Sequence, residues 1–524
     1  MHDLVLEGGL VYDGLGSEPE LADVAVEGGR IVAVGRALGA SRRVVRIDGL
    51  AVGPGFIDPH AHSDMVPLMD DPQPFKLYQG VTTEIVGNCG FSFAPLSEDA
   101  AREAGRSFGE LSGGARVVAG TFADHLDRLE AAGPTNHIAS LVGHHALRLT
   151  ANGMSTELRA GAIEAMQQLL SEAFASGAIG LSTGLIYTPG AWSNTDEIVA
   201  LAEIAHRWQR PYASHMRDEG LALAEALDEA IEVGARARVR VQVSHCKAAG
   251  ASSHGASAML IDKLHAARVA GVDIRGDQYP YLAGATFLAA LMPPEVHEGG
   301  IDELRRRLSE PSERARLRSR ADDLTRPAGG GLWCQANPED VLIVRHGDEH
   351  LRGRTLDDIA GQRDAWEVLC DIVAQDPAAM MVVTIMNEDD VRAIMADPLV
   401  GVGSDSGIPE GLDHPRTWGC FPRFLGTYTR EIGVVSWPEA VRKITSSAAA
   451  QFGLTGRGWL GQGAVADICV FDQATIGHAG TYLEPDVKPT GIVHVLLAGE
   501  IVVEDGTFSG ERRGQVLRAK PSST

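Results

Sequence analysis

A chain of 524 residues is too long for one compact core and suits one large domain with additions. It is 44% hydrophobic and 22% charged, an ordinary globular composition, and it has no run of about 18 or more apolar residues, which excludes a transmembrane helix. The formal charge of -24 argues against nucleic acid or an anionic membrane surface as a partner, although a pocket for a small molecule can still be locally positive.

Six cysteines, Cys89, Cys246, Cys334, Cys370, Cys420 and Cys469, are scattered along the chain. That spacing points to a reducing, cytoplasmic setting and not to a disulfide framework. The opening MHDLVLEGGL lacks a basic stretch and a long apolar run, so no secretory signal is expected.

In chain order, residues 3–52 read as short strands broken at glycines: DLVLEGG, ADVAVEGG, RIVAVG and VVRIDGL. ADICVFD, GIVHVLLAGE and IVVEDG repeat this texture near the other end. The economical expectation is a small β-sandwich domain built from both chain ends, residues 1–54 plus 455–524.

The middle, residues 55–454, alternates strands and helices. STELRAGAIEAMQQLLSEAFASG places Ile163, Met166, Leu170 and Phe174 at steps of three and four, a helical stripe. Ser155 or Thr156 can cap its start and Gly177 can end it. TDEIVALAEIAHRW carries Ile198, Leu201, Ala205 and Trp208 on one face. The candidate strands are GFID, VTTEIVG, HIASLVG, AIGLST, PYASH, VRVQVSH, VDIRGD and LVGVGS. Apolar strands between amphipathic helices make a parallel sheet, and eight of them make a (β/α)8 TIM-like barrel, an α/β fold. A barrel core needs about 250 residues. The excess lies at about 284–340, which is polar, Pro-broken and rich in arginine, and reads as a lid-like insertion over the barrel mouth.

The reactive residues sit at the ends of these strands. His60 and His62, in PGFIDPHAHSD, follow the first strand. Cys89 follows the second, His215 ends the fifth, His245 ends the sixth and Asp405 ends the eighth. Barrel enzymes do their chemistry at this end of the strands. Alternate residues of a strand share a face, so His60 and His62 can chelate one cation. Each residue alone has a structural explanation: a buried small thiol, a core histidine, an aspartate in cap chemistry. Their joint occurrence at strand ends favours one metal site. His125, His206 and His265 lie within helical stripes and read as structural. His144 and His145 end the third strand without an evident role, and Cys246 points away from His245 by alternation.

PGFIDPHAHSD resembles the first-strand signature of the amidohydrolase superfamily. GVTTEIVGNCGFSFAP, STGLIYTPG, HMRDEG, SHCKAAG, DQYPYLAGAT, GSDSG and the tail GIVHVLLAGEIVVEDGTFSGERRGQVLR together resemble the N-acyl-D-amino-acid deacylase (D-aminoacylase) family, in order and over nearly the whole chain. Most related amidohydrolases bridge their metals with a carboxylated lysine; this branch uses a cysteine, here Cys89. The resemblance implies one tightly bound Zn²⁺ on Cys89, His215 and His245. It implies a second, weaker or empty position on His60 and His62 that shares Cys89, with Asp405 as catalytic base. The implied reaction is hydrolysis of an N-acyl-D-amino acid, a small-molecule substrate, to a carboxylate and a free D-amino acid. Thiolate and imidazole donors suit zinc, and three protein ligands leave a place for water.

For the substrate carboxylate, the candidates are Lys247, Tyr187 and Tyr281, with Arg217 and Arg148 as outside choices. The family often has Asp-Gly after the catalytic aspartate, whereas here Ser406 intervenes before Gly407. A broad or hydrophobic side chain is preferred over D-Glu or D-Asp, because the arginines of the insertion read as a solvated helix face. Two other readings stay open: an amidohydrolase of a cyclic or other N-acyl amide, which Cys89 argues against, and a non-catalytic scaffold. The oligomeric state is left open.

Overall fold

A computed structural model describes residues 1–324 and 331–520. Residues 325–330 of the expected insertion, and 521–524 of the expected β domain, lie outside the described residues.

All eight expected barrel strands form. They are Phe56–Asp58, Val81–Val86, His137–Gly143, Gly180–Gly184, Tyr212–His215, Val241–Val243, Ile274–Gln278 and Val400–Val402. They pair in parallel in chain order as one eight-stranded sheet. Strand one and strand eight close the ring just beyond their ends. Ala61 bridges Ser406, the Asp405 N–H donates to the His60 carbonyl at 2.8 Å, and the His62 N–H donates to the Ser406 carbonyl at 2.8 Å. Gly403 permits this closeness, since a Cβ there would stand 2.8 Å from the His60 Cβ.

The helical stripes face this sheet. Met166, Leu170 and Phe174 are buried on the helix Ala162–Ala175, and Ile198, Leu201 and Ala205 on Thr195–Arg207. The first of these helices starts later than its sequence suggests. Gly161, not Ser155 or Thr156, stands at its N-cap, because Arg148 takes the carbonyls of Ser155 and Thr156 and holds that stretch as a loop.

Strands from both chain ends share one mixed nine-stranded sheet. Its junction is the antiparallel pairing of Ala51–Pro54 with Ile468–Phe471. The chain then returns to the barrel, where Val516 bridges Ile138 of strand three. Between strands seven and eight lies a separate three-stranded sheet, Ala283–Phe287, Met380–Thr384 and Val341–Arg345 in spatial order, with the helices Ile301–Ser309 and Pro311–Ala321. Leu304, Leu308, Leu317, Ile343 and Met381 share a core with Trp366. Among the described residues no helix is long and apolar enough to cross a membrane.

Trp366 is fully buried, packs edge-on against Trp333 at 5.1 Å and donates its indole N–H to the Arg314 carbonyl. Trp366→Ala is expected to destabilise the inserted unit by about 3–5 kcal/mol. The measurement is the urea midpoint followed by tryptophan fluorescence, and an unchanged midpoint would refute this packing.

Candidate metal centre at the barrel mouth

Each residue of the cluster stands where a strand stops. Cys89 lies three residues past strand two in a tight loop with φ of 52°, between Gly87 and Gly90, which are also at positive φ. Gly184 of strand four leaves room for it, because a Cβ there would meet the Cys89 carbonyl at 2.0 Å. His245 and Asp405 also have positive φ, 35° and 50°. Three non-glycine residues held in this sparsely populated region, all in one cluster, mark a site that the surrounding packing over-determines.

The expected ligands converge. Cys89 Sγ lies 3.4 Å from His245 Nε2, and His245 Nε2 lies 2.9 Å from His215 Nδ1. On the other side, His60 Nε2 is 3.2 Å from the same sulfur. Asp405 Oδ1 is 3.4 Å from His60 Nε2 and 3.1 Å from His62 Nε2. The donors fall into two sets, each with its atoms within 4.8 Å of one another: Cys89, His215 and His245, and His60, His62, Cys89 and Asp405. A tetrahedral ion with metal–sulfur and metal–nitrogen bonds of about 2.3 and 2.0 Å needs donors about 3.3–3.6 Å apart. The first set comes close to that spacing and has zinc's preferred chemistry, so the residues fit the ion.

Charge in the cluster is balanced from below. Burial pushes the Cys89 thiol up, but His60, His245, His215 and His62 around it hold it well below its ordinary value, as a thiolate. Burial likewise opposes ionisation of Asp405, yet Arg416, His60, His62 and His245 keep it a carboxylate. Burial and neighbouring His245 lower His215, leaving it neutral and able to ligate. Glu219 serves both imidazoles: Oε1 is 2.7 Å from His245 Nδ1 and Oε2 is 3.7 Å from His215 Nε2. Asp277 Oδ1 is 3.3 Å from His60 Nδ1 and accepts the His245 backbone N–H at 2.8 Å.

The substrate-binding candidates divide. Tyr187 joins the cluster, its ring 4.9 Å from His215, with its hydroxyl 2.7 Å from Thr286 Oγ1 of the insertion. Lys247 is buried beside it, and its Nζ is bound to Glu219 at 2.6 Å and lies 2.7 Å from His245 Nδ1. Tyr281 is not brought to the cluster. Strand seven ends at Gln278, so alternation no longer aims this side chain, and its hydroxyl donates to the Pro415 carbonyl at 3.3 Å. Tyr279 stands in the site instead, with the Arg416 guanidinium 4.6 Å and Lys247 Nζ 5.7 Å from its ring centroid.

Arg217 pairs with Glu229 and Arg148 with Glu197, away from the cluster. His144 also meets Glu197, whereas the His145 ring packs on Phe91. Cys246 contacts the Val243 carbonyl and joins neither donor set.

Arg416, Glu219, Asp277 and Tyr279 are the residues that motif reading missed. Tyr279 and Asp277 lie inside the quoted DQYPYLAGAT, but Arg416 lies eleven residues beyond Asp405 in DHPRTWG, and no spacing rule brings it back. Arg416 is buried, its Nη1 pairs with Asp405 Oδ2 at 2.8 Å, and its Nε has no hydrogen-bond acceptor.

An apolar cleft opens from the cluster beneath the insertion. Phe91, Phe108, Met154, Ile186, Phe287 and Met292 line it together with Tyr187. Among the described lining residues none carries a charged side chain, and burial lowers His297 to about 4, so it is neutral.

Two measurements check this geometry. Glu219→Gln should weaken cation binding at Cys89, His215 and His245 about 10–100-fold, as loss of such an orienting partner does, and unchanged affinity in a competition titration would contradict it. The second concerns protons. Burial disfavours charge on His62, but Cys89 and Asp405 raise it to about 9. Burial opposes charge on His60 as well, but Cys89, Asp277 and Asp405 outweigh it and raise His60 well above its ordinary value. A cation must therefore displace a proton from each imidazole, and affinity at the His60–His62 position should rise by at least about tenfold per pH unit. A flat profile by calorimetry from pH 6.5 to 8.5 would refute it.

Comparison with known proteins agrees with this construction. Residues 43–270 and 358–503 match the amidohydrolase family. A D-aminoacylase of Alcaligenes xylosoxydans xylosoxydans is 36% identical, with 98% of this chain and 97% of that protein covered. A D-aminoacylase structure, described for its binuclear metal centre with one-metal activation and second-metal attenuation, superposes with a TM-score of 0.85 at 35% identity, covering 99% of this chain and 100% of that one. An N-acyl-D-glutamate deacylase of Bordetella bronchiseptica, complexed with zinc and a phosphonate mimic of the tetrahedral intermediate, gives 0.83 at 32% identity, with 99% and 100% covered. The chain belongs to the amidohydrolase family, in the branch that holds the D-aminoacylases.

Proposed function

We propose that this protein is a zinc-dependent deacylase that hydrolyses the linear amide of N-acyl-D-amino acids. The observation that carries the reading is the meeting of one thiolate and two neutral-capable imidazoles beside a carboxylate, at the barrel mouth of a chain whose full-length relatives include D-aminoacylases. Cys89, His215 and His245 would hold the tight zinc, and His60 and His62, with Cys89 and Asp405, a second, weaker position. A cation so held acidifies water toward neutral pKa and polarises a carbonyl.

Asp405 is the general base and acid of this scheme. It takes a proton from the attacking water and returns it to the departing amine nitrogen. In the free protein Arg416 suppresses its basicity by pairing with it. The substrate carboxylate supplies the acceptor that the buried Nε of Arg416 lacks. An arriving carboxylate draws the guanidinium toward itself and leaves Asp405 more basic when water is to be deprotonated. Tyr187 flanks the same space from strand four. Lys247, engaged by Glu219, steadies His245 from behind the substrate.

The apolar cleft takes the amino-acid side chain or the acyl group. A D-glutamyl or D-aspartyl carboxylate would be buried there without a cation, which is costly. Among the described residues no arginine of the insertion lines the cleft, and Arg306 pairs with Glu303, Arg314 with Glu367 and Asp371, and Arg316 with Glu313. Hydrophobic N-acyl-D-amino acids are therefore the favoured substrates.

Two outcomes are expected. N-acetyl-D-leucine, -methionine or -phenylalanine should exceed N-acetyl-D-glutamate in kcat/KM by at least about tenfold; equal or better hydrolysis of the glutamate would overturn the apolar assignment. Asp405→Asn should lower kcat about 10²–10⁴-fold while the protein keeps its tightly bound zinc. Substantial activity in that variant would remove Asp405 from the role of base.

A further inference from the structure

Behind the metal cluster, on the side away from the apolar cleft, a lysine is sealed into the wall of the barrel. Lys76 precedes the turn Leu77–Gln79 between strands one and two and has no solvent exposure. Its ammonium donates to Asp58 Oδ2 at 2.5 Å, Ser406 Oγ at 2.6 Å and Ser404 Oγ at 3.1 Å, and lies 3.4 Å from Glu84 Oε2. Asp58 is itself shared between the two strands that close the barrel. Its Oδ1 accepts the backbone N–H groups of His60 at 3.1 Å and Ser404 at 2.9 Å, and its Oδ2 the Ser404 hydroxyl at 2.5 Å. Glu84 is held by Ser63 and Asn136.

The two serines bracket Asp405, whose φ of 50° is uncommon for any residue that carries a side chain, although aspartate adopts it more readily than most. Its carboxylate is held directly by Arg416, and its backbone by the bond to the His60 carbonyl and by this network on either side.

We propose that Lys76 is a positioning residue for Asp405. Through Ser404 and Ser406 it clamps the end of strand eight onto the Asp58–His62 segment of strand one. The clamp keeps Asp405 Oδ1 within 3.1–3.4 Å of the His62 and His60 Nε2 atoms. The bond to Ser406 belongs to this chain's own sequence, since a glycine at that position has no hydroxyl to offer. The catalytic part of the proposal rests on the deacylase reading; the geometric part does not.

The test compares Ser406→Ala, Ser406→Gly and Lys76→Arg with the unaltered holoenzyme. Lys76→Met is less informative, because it leaves Asp58 and Glu84 buried without their cation and threatens folding. Two readouts are taken: affinity for a first and a second equivalent of zinc by competition titration, and kcat and KM for N-acetyl-D-leucine. The second equivalent should bind about tenfold more weakly in Ser406→Ala, and the first should be unchanged, since Cys89, His215 and His245 do not touch the clamp. In parallel, kcat of Ser406→Ala should fall about tenfold with KM within about twofold, and Lys76→Arg, which keeps a cation beside Asp58, should lose less than Ser406→Ala. Unaltered second-site affinity in all three variants would overturn the proposal, as would equal weakening at both sites. If the unaltered protein hydrolyses no N-acyl-D-amino acid, the deacylase reading fails, and the zinc affinities alone decide the clamp.

Discussion

A thiolate and a carboxylate buried side by side repel each other and lose water, and the rest of the mouth is arranged around that problem. Cys89 and Asp405 both keep their negative charge although they are buried, because imidazoles and a guanidinium surround them. The imidazoles in turn are fixed by carboxylates behind them, Glu219 under His215 and His245, and Asp277 under His60. Such alternation of charge is stable only when every member is in place, which explains why the site draws on seven of the eight strand ends or the loops after them. It also suits a cation, which replaces protons on the imidazoles and leaves the anions where they are.

The barrel supplies positions, and the additions supply surroundings. Parallel strands end at one rim, so residues far apart in sequence meet there without long loops. The insertion between strands seven and eight contributes Phe287 and Met292 to the cleft and Thr286 to the Tyr187 hydroxyl, and so shapes the space beside the candidate metal ligands. Trp366 anchors it in a core that runs on without a break into the barrel and the β domain, through Phe56, Val402, Phe421 and Phe471.

Much of this was legible in the chain before folding. The eight strands announce themselves as apolar runs between helical stripes, and the candidate metal ligands as histidine and cysteine at their ends. Where backbone geometry stays regular, residue alternation aims side chains reliably: His60 and His62 both reach Asp405 because the bridge between Ala61 and Ser406 keeps that segment extended. Where the strand stops, alternation stops with it. Tyr281 lies past the end of strand seven and turns toward Pro415, and Tyr279 takes the place by the arginine. The charge of Lys247 suits a substrate carboxylate, but the group that answers it, Glu219, sits on the loop after another strand and is invisible to local pattern. Arg416 and Lys76 were beyond reach for the same reason. Their importance lies in contacts with Asp405, Ser404 and Ser406, which only the closed ring creates.

The most direct test of the account is to strip the protein of metal, add zinc back in known equivalents and follow amine release from N-acetyl-D-leucine and N-acetyl-L-leucine. The account predicts release from the D isomer alone, rising with the first equivalent bound at Cys89, His215 and His245. Release from neither isomer at any zinc loading, or equal release from both, would contradict it.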